Sequence, residues 1–529
     1  MKNRTYQITL GLMILINIPA MAATTNPTCF DIREQGARSN TDEVQTRAIQ
    51  QTIDACSAAG GGTVIVPAGT FFSGAIRLHS HIILRLEPGA VLKGSPNLAD
   101  YKIDGQLVGL ISTIDAQEIG ITGPGTIDGN GMAFMQPEKP HVGNDFDRKF
   151  IRQGEKYFTE KDSAEDGPIL PKSRPGNMVV FANCKKVRIQ DVTLHEPPYW
   201  TLHINGSEDV VIHGITVDNR QDIPNNDGIH CSTSRDVHIS DCTITTGDDA
   251  IAISGVNDHA GAVPGFIGYN KPAEDVTIDH CTLRSRSAGV RIGYGFNDCR
   301  NIVASNLIID ANRGIGIFAR DHGNISNLLF TNLIIRTQLY RGHWWGKAEP
   351  IHISALAMTK AGQSGKVSDV RFRNIIADAE DGVVIYGGDP GLIENVSIED
   401  FKLTMHSSPQ QENYGGNFDL RPALDPSLRL FKHDIAALFA HGVDHLQLRN
   451  LEIGWDQQLP AFFSNAIQCE DFSDLRILSV RGSAAHTADG EATISLHRGN
   501  GATIGDADAP PAPATLISQE AVENFKIKP

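Results

Sequence analysis

Two adjacent carboxylates interrupt a strand-like segment in the middle of the chain. Residues 243–253 read TITTGDDAIAI, in which Asp248 and Asp249 follow Gly247. Neighbouring side chains of a regular strand point to opposite faces. We therefore expect a bend or bulge at Gly247 that turns both carboxylates toward one groove. A third carboxylate, Asp227 in the stretch PNNDGIH, lies 21 residues before Asp248.

Three carboxylates brought together suit acid–base chemistry. Like charges are costly to cluster unless they share protons or bind a cation, so the pattern predicts either an active site or a calcium site. Mutually perturbed carboxylates are typical of active sites, and we favour catalysis. Glycoside hydrolysis needs one protonated acid for the leaving oxygen and a carboxylate that activates water or attacks. A cluster of three suits inversion, in which one acid donates a proton and two hold and deprotonate the water.

A repeated unit explains how residues 21 positions apart can meet. Apolar residues alternate, a small or polar residue stands fifth, and an apolar pair follows. The units are VRIQDVTL, VVIHGITV, VHISDCTI, VTIDHCTL, IVASNLII, LLFTNLII, VRFRNIIA, VSIEDFKL and LQLRNLEI, beginning at Val187, Val210, Val237, Val276, Ile302, Leu328, Val370, Val396 and Leu446. The common step is roughly two dozen residues, and a polar residue at one register suits a corner that bonds its own backbone.

This repeat predicts an all-β fold, a right-handed parallel β-helix whose coils stack to bury their inner faces. Stacked coils would bring Asp227, Asp248 and Asp249 within about 5 Å of one another. A helix over residues 42–56 is expected to cap the first coil, within a cap region of residues 23–75. The solenoid domain is predicted to span residues 23–505, with a long loop over 139–177 that forms a cleft wall, and a tail over 506–529.

Composition and the N-terminus limit the location and the partners. The net charge of −16 is unsuited to binding nucleic acid or an anionic membrane, although a local basic cleft could still bind an acidic substrate. Residues 1–22 show a basic start, an apolar stretch and Ala20-Met21-Ala22, which predicts a secretory signal. We expect a monomer exported to the periplasm or the medium.

The eight cysteines are too few for a disulfide scaffold in so long a chain. Cys29 and Cys56 bracket the predicted helix and are the pair that we expect to form a disulfide. The alternative is that all eight cysteines are buried reduced thiols. For Cys184, Cys231, Cys242 and Cys281 we give this interpretation the same weight as oxidation. Because no CxxC pair occurs, the sequence predicts no structural metal and no cofactor.

The motifs resemble those of glycoside hydrolase family 28, the polygalacturonase family of right-handed β-helices. The resemblance rests on GPGTIDGNG, RPGNMVVFANC, the stretch from VRIQDVTL to VDN, NNDGIH and GDDAIAI. It implies that Asp248 is the general acid and that Asp227 and Asp249 activate the water. It also places Asn225 at the asparagine of the family's Asn-x-Asp motif.

Two family motifs differ in this chain. The family's Gly-His-Gly is replaced by SAGVRIG, with Ala288 at the histidine, and its Arg-x-Lys pair by RGIGIFAR, with Gly316 and Phe318. Arg291 and Arg320 lie in these stretches and could rebuild a grip on a substrate carboxylate. The loop RGHWWGKAEP adds substrate-binding candidates in His343, Trp345 and Lys347, and one of its two tryptophans should serve as a packing anchor or a sugar platform.

The sequence therefore predicts an exported, metal-independent inverting hydrolase of a pectic polysaccharide or oligosaccharide, with exo-action slightly favoured because long loops should close the groove. The altered motifs leave open a rhamnogalacturonan- or xylogalacturonan-type substrate. A calcium-dependent polysaccharide lyase and a non-catalytic glycan-binding solenoid are the alternatives. They differ in their products: unsaturated ends that absorb ultraviolet light, or no products at all.

Overall fold

One parallel sheet of 33 strands winds through the described part of the chain. The computed structural model describes residues 28–141, 167–257, 263–342, 344–358, 363–411, 415–420, 430–507 and 515–528. Most strands pair in parallel with strands one coil before and one coil after them; Val210, for example, lies between Val187 and Val237. The predicted all-β parallel β-helix is confirmed. The predicted signal, residues 1–22, lies outside the described residues.

The strands of the parallel sheet follow one another in chain order around the coils. The first coils contain Cys29–Asp31, Gly62–Val66, Gly69–Ser73, Ile82–Leu86, Ala90–Gly94, Ile111–Ile114, Gln117–Thr122, Thr126–Asp128, Val179–Ala182, Lys185–Gln190, Thr193–His195, Leu202–Asn205, Glu208–His213 and Thr216–Asp218. The middle coils contain Ile229–Ser232, Arg235–Ser240, Thr243–Thr246, Ile251–Gly255, Ala273–Asp279, Thr282–Gly295, Cys299–Ala319, Ile325–Thr337, Ile351–Ala355, Val367–Ala379, Val383–Gly387 and Ile393–Met405. The last coils contain Leu438–His441, Val443–Trp455, Ile467–Glu470, Ser473–Arg481, Ile494–Ala507, Ile517–Glu523 and Lys526–Lys528.

Shorter elements stand outside this sheet. Within the described residues, three antiparallel pairs are formed by Lys102–Ile103 with Gln106–Leu107, Met135–Pro140 with Ile169–Pro171, and Asn417–Asp419 with Leu430–Lys432. The helical elements are the α-helix Thr46–Ala58 and the 3₁₀ turns Ile32–Gln35, Leu98–Asp100, Gly131–Phe134 and Thr487–Asp489.

The sequence repeat corresponds to one column of the stacked coils. The first residues of all nine units pair one after another, from Val187 opposite Val210 to Val396 opposite Leu446. Their side chains are buried, and aromatic rings continue the interior packing, as where Phe330 stacks on Phe372 at 4.7 Å. Each coil therefore buries its inner face against the next, as the periodicity predicts.

The polar fifth position of the unit is a corner. All nine residues there have positive φ, a conformation that Asn, Asp and Gly adopt most readily. Their side chains also bond from coil to coil: Asn332 Nδ2 donates to Asn306 Oδ1 at 3.1 Å, and Asn374 Nδ2 donates to Asn332 Oδ1 at 2.8 Å. The corner thus turns the chain and holds neighbouring coils in register.

The N-terminal helix closes the first coil. It spans Thr46–Ala58, somewhat later than predicted, and buries Ile49, Ile53 and Cys56. These side chains join the same apolar core as the first strands, so the helix covers what would be an open end of the solenoid. No helix in the described ranges has the length and apolar character needed to cross a membrane.

The described residues include only parts of the predicted long loop and of the predicted tail. Residues 142–166 of the loop lie outside the described residues, and its two ends form the antiparallel pair Met135–Pro140 with Ile169–Pro171. In the region predicted as a tail, Ile517–Glu523 and Lys526–Lys528 pair in parallel with Ile494–Ala507. These two strands extend the stack of coils.

Candidate active site

Asp227 and Asp249 face each other from neighbouring coils. Each lies two residues before a strand, and these strands align Ile229 with Ile251. Asp248 belongs to the bend between Thr246 and that second strand. The amide oxygen of Asn226 accepts hydrogen bonds from the backbone N–H of Gly247 at 2.8 Å and of Asp248 at 3.0 Å. The bend therefore brings both adjacent carboxylates to the site of Asp227, as the sequence predicts.

Only glycine fits at the first position of this bend. A Cβ atom on Gly247 would lie 2.6 Å from the carbonyl oxygen of Ile223. The carbonyl of Asp248 is fixed as well, because it accepts hydrogen bonds from the hydroxyl groups of Thr246 and Ser285. The backbone of the two aspartates is held from both sides of the turn.

All three carboxylates are nearly buried, with exposed fractions of 3% for Asp227, 8% for Asp248 and 5% for Asp249. Burial, and after it the neighbouring charge of Asp249, raises the pKa of Asp248 to about 7. Burial, with the charges of Asp248 and Asp249, also raises the pKa of Asp227 well above its ordinary value. The cluster therefore holds protons at pH values at which free aspartate has lost them.

The guanidinium of Arg291 brings a positive charge to Asp249 and Asp227. Arg291 Nε donates to Asp249, and its Nη2 lies 4.0 Å from Asp227 Oδ2. Asp249 also accepts from the hydroxyl of Ser287 at 2.8 Å and from the backbone N–H of Ala288 at 3.2 Å. The sequence assigned Arg291 to the substrate, but its contacts in the structure are with the carboxylates.

The pKa of Arg291 reflects the same contacts. Burial alone would favour its neutral form, yet the carboxylates of Asp249 and Asp227 raise its pKa above the ordinary value. The guanidinium is thus a permanent cation between the two aspartates. Among the described residues no cluster of three or more His, Cys, Asp or Glu side chains has a metal-binding arrangement.

His230 is a site residue that the sequence analysis missed. Its Nδ1 lies 3.1 Å from Asp227 Oδ2 and its Nε2 lies 3.0 Å from Ser254 Oγ. The ring stacks on Trp200, with 3.8 Å between centroids. His230 stands three positions after Asp227 in PNNDGIH, and in a regular strand such residues would face opposite sides. Only the bend before Ile229 brings the two side chains together. Their spacing in the sequence therefore did not indicate the contact.

Arg174 is a second residue that was not anticipated. It lies near the end of the long loop, and its Nη2 donates to Asn225 Oδ1 at 2.8 Å, while Asn225 Nδ2 lies 3.4 Å from Asp248 Oδ2. Its guanidinium also lies over the ring of Tyr199 at 3.9 Å. Burial lowers the pKa of Arg174 to about 10. The predicted asparagine therefore links a cation from the loop to the carboxylate of Asp248.

Arg320 lies at the rim of the site and is more exposed than Arg291. It lies over the ring of Tyr294 at 3.4 Å, and Arg291 lies over the same ring at 4.3 Å. The side chain of Arg320 is 19% exposed, and its Nε lies 3.3 Å from Asp321 Oδ2. The structure thus separates the two arginines that the sequence placed together as candidates: one is buried among the acids, and the other lies on the rim.

The altered family motifs reshape the next coil. Ala288 pairs with Arg313, and Gly293 pairs with Phe318. A Cβ on Gly316 would lie 2.6 Å from the ring of Phe318, so that ring covers the glycine. An aromatic side chain therefore occupies the surface where the family resemblance implies a cationic pair.

The loop after Tyr340 holds the remaining predicted residues. His343 lies outside the described residues, and Lys347 is almost completely buried. Trp344 is buried and packs edge-on against Trp345 at 6.4 Å, whereas Trp345 is partly exposed. Trp344 is thus the packing anchor, and Trp345 is the tryptophan that can meet a ligand. The substrate contacts of Trp345 and Lys347 stay predictions.

A buried ionic cluster fixes this loop to the coils. Arg313 Nη2 lies 3.2 Å from Glu349 Oε1 and 3.7 Å from Asp419 Oδ2, and His352 Nδ1 lies 3.1 Å from Glu349. Burial alone would raise the pKa of Glu349, but Arg313 lowers it to about 2. Burial, together with the charge of Glu349, raises the pKa of nearby Asp381.

The expected disulfide is not formed in the structure. Cys29 and Cys56 are free thiols, the first exposed and the second buried. Burial, and to a smaller extent the neighbouring Cys29, raises the pKa of Cys56. The two cysteines are therefore near each other at the first coil, and their oxidation stays a prediction.

Comparison with known proteins supports the motif resemblance. The model of "Glycosyl hydrolases family 28" matches residues 56–294, which confirms the resemblance over that segment. The chain is 28% identical to the exo-poly-alpha-D-galacturonosidase of Dickeya chrysanthemi over 263 residues, 44% of this chain and 43% of the relative. It is also 28% identical to an exopolygalacturonase of Zea mays over 296 residues, 53% of this chain and 65% of the relative. Both alignments span less than two thirds of the relative's length.

Solved structures support the fold. The exopolygalacturonase from Thermotoga maritima aligns with a TM-score of 0.57 and 20% identity, over 80% of this chain and 91% of that chain. The polygalacturonase from Erwinia carotovora ssp. carotovora aligns with a TM-score of 0.53 and 18% identity, over 72% and 95% of the two chains. At this level of identity the likeness concerns the parallel β-helix itself.

Proposed function

We propose that this polygalacturonase-like β-helix is an exported glycoside hydrolase that cleaves glycosidic bonds of a pectic polysaccharide or oligosaccharide with inversion. The observation that carries the proposal is the buried set of Asp227, Asp248 and Asp249 around one guanidinium, that of Arg291. Such a site places a carboxyl group that keeps its proton, Asp248, beside two further carboxyl groups, and hydrolysis of a glycosidic bond requires an acid and a second carboxyl group.

Asp248 acts as the general acid. Its raised pKa of about 7 keeps a proton on the carboxyl group in mildly acidic solution, and that proton is given to the leaving glycosidic oxygen. Asp227 and Asp249 hold a water molecule and remove its proton as it attacks the anomeric carbon. The attack from the face opposite the leaving group inverts the configuration, which chromatography or NMR of the first products would show.

The calcium-dependent lyase is the less favoured function. A lyase would use the aspartates to bind a cation and a basic residue to take the proton. Here Arg291 already supplies the positive charge between Asp227 and Asp249. A binding-only solenoid would have no need to bury three carboxylates in one site, with the pKa of Asp227 and of Asp248 raised.

Chain-end cleavage is favoured by the loops beside the site. A Cβ on Gly342 would lie 2.4 Å from the Cα of Gly167, so the loop after Tyr340 touches the end of the long loop. Arg341 Nε continues this contact by donating to Gln410 Oε1 at 3.2 Å. These two contacts support the proposal that the segments close one end of a groove, so that only a chain terminus is admitted.

The proposal is tested by incubating the full-length protein with polygalacturonan, rhamnogalacturonan, xylogalacturonan and their oligosaccharides. We expect new reducing ends without a rise in ultraviolet absorbance, and small products from the first minutes. Absorbance that depends on calcium would make the protein a lyase instead. No product from any of these glycans would refute the hydrolase proposal, and early products of mixed length would refute chain-end action.

We expect Arg320→Met to weaken the binding of a uronate-containing substrate. The partly exposed guanidinium of Arg320 at the rim is a cation that a substrate carboxylate can reach, and losing one charge-assisted hydrogen bond should raise KM about tenfold with little change in kcat. Steady-state kinetics on oligogalacturonides measure this change. Arg373→Met is the control, since Arg373 is an exposed arginine paired with Asp400 on the outer surface. Equal KM values for the two variants would remove Arg320 from the binding site.

A further inference from the structure

A buried line of hydrogen bonds begins at Asp227 and leads away from the groove. Asp227 contacts His230 Nδ1, and His230 Nε2 contacts Ser254 Oγ, which lies 3.1 Å from Ser232 Oγ. Ser232 Oγ in turn lies 3.1 Å from His203 Nε2. These side chains are nearly inaccessible to solvent, so their polar atoms depend on protein partners, as where His203 Nδ1 lies 3.0 Å from Asn177 Nδ2 at the far end of the line.

The imidazole of His230 is held in one orientation. Stacking on Trp200 fixes the plane of the ring, and the contacts at Nδ1 and Nε2 fix its rotation within that plane. A histidine fixed in this way can direct one N–H at a carboxylate and can orient that carboxylate in turn. Only 1% of the surface of His230 is exposed, so we expect the imidazole to act on a substrate through Asp227 and not by direct contact.

The two water-holding carboxylates therefore have different partners. Asp249 accepts from three direct donors, namely Arg291 Nε, Ser287 Oγ and the N–H of Ala288. These three donors occupy lone pairs of the Asp249 carboxylate, so fewer acceptor positions are left to take a proton from water. Asp227 lies 4.0 Å from the nearest guanidinium nitrogen and is in direct contact with the imidazole.

We propose that His230 is a positioning residue that fixes Asp227 as the carboxylate which takes the proton from the attacking water, while Asp249, whose acceptor positions are taken by its three donors, only holds that water. This inference rests on the proposed hydrolase function. The water oxygen forms a bond to the anomeric carbon, and one water proton moves to Asp227. The bond from that carbon to the glycosidic oxygen breaks, and the oxygen takes the proton of Asp248. Asp227 then releases a proton to solvent and Asp248 takes one up, which restores the site.

The effect of His230 on Asp227 has a definite sign. An N–H that donates to a carboxylate stabilises its ionised form, so loss of the imidazole should raise the pKa of Asp227 further. The other charged or titratable groups that act on Asp227 are Asp248, Asp249, Arg291, Arg174 and Tyr199. They stay in place when only His230 is changed, and the shift can be assigned to it.

The chain contains a matched control for this contact. Glu349 and His352 also stand three positions apart. His352 lies on the strand Ile351–Ala355, which pairs with Ile315 and belongs to a later coil of the same sheet than His230. His352 Nδ1 lies 3.1 Å from the Glu349 carboxylate and the imidazole is fully buried, as at Asp227. Replacing either histidine thus removes the same contact from the same kind of environment.

The experiment compares His230→Leu, His230→Asn and His352→Leu in the full-length protein by kcat and KM as functions of pH. For His230→Leu we expect kcat to fall about a hundredfold at unchanged KM, and the acidic limb of the kcat profile to move to higher pH. His230→Asn keeps a donor near the position of Nδ1 and should recover most of the rate and the wild-type limb. His352→Leu should lower the melting temperature to a similar extent but leave the acidic limb unmoved.

Three other results would contradict the inference. If His230→Leu and His352→Leu lose activity equally and neither moves the acidic limb, His230 is only structural. If His230→Asn is as impaired as His230→Leu, donation to Asp227 is not its role. Both results leave the hydrolase function intact, because the wild-type protein stays active. A wild-type protein that releases no reducing ends from any glycan would overturn the hydrolase function and the role of His230 together.

Discussion

Asp248→Asn should abolish hydrolysis and at the same time stabilise the folded protein at neutral pH. The asparagine has no proton to give to the leaving oxygen, and loss of a general acid lowers kcat about 10²- to 10⁴-fold. In the wild type, activity should fall as the pH rises through about 7, because Asp248 then loses its proton. Release of reducing ends as a function of pH measures both effects.

The stabilisation follows from the same raised pKa. Asp248 has a pKa of about 7 in the native state, against about 3.9 for an aspartate in an unfolded chain. Between these values the native protein binds the extra proton, and its free energy of unfolding decreases as the pH rises through this window. Asparagine removes that decrease. The melting temperature of Asp248→Asn should therefore exceed that of the wild type increasingly from about pH 4 to pH 7.

Asp241→Asn is the matched control for this variant. Asp241 is an exposed aspartate at a corner of the coils, paired with His213 at 3.3 Å, and asparagine suits the positive φ at that position. It should keep full activity and show no such gain in melting temperature with rising pH. An active Asp248→Asn enzyme, or one whose melting curves follow the wild type at every pH, would show that Asp248 is not the protonated acid.

Arg291→Met should have the largest effect on stability. It removes the cation that contacts Asp249 and lies 4.0 Å from Asp227. Arg174, which reaches Asp248 only through Asn225, is then the remaining cation that acts on these buried carboxylates among the described residues. Breaking a buried ion pair from one side costs about 3–5 kcal/mol of the free energy of unfolding. The acids would also take up protons, and activity at neutral pH should be lost. Chemical denaturation and kcat measure the two effects.

Arg313→Met separates catalysis from folding in this test. Arg313 is also a buried arginine, 3.2 Å from Glu349 and 3.7 Å from Asp419, so its removal should destabilise the protein to a similar degree. The folded fraction of that variant should keep the wild-type pH profile of kcat, whereas Arg291→Met should not. If Arg291→Met keeps the wild-type profile, the arginine has no part in setting the charge of the catalytic carboxylates.

The fold could be predicted from the sequence because its determinants are local. Apolar alternation specifies short strands, and a polar or glycine residue after four positions specifies a corner, as at Asp191 and Asn306. The repetition of this unit fixes the stacking, since Val187, Val210 and Val237 can be buried only against one another. The three carboxylates could be placed together for the same reason, because one coil separates Asp227 from Asp249.

The partners of those carboxylates were decided by the tertiary structure alone. Arg291 and Ser287 come from the next coil, and Arg174 comes from the end of a long loop, at separations in sequence that depend on the lengths of insertions. His230 is near Asp227 in sequence, but only the bend between them turns both side chains toward each other. The sequence by itself determined the β-helix and the set of acids, whose periodicity is local. Which acid is neutralised, and which keeps its proton, depends on burial and on contacts between coils, and only the folded chain provides these.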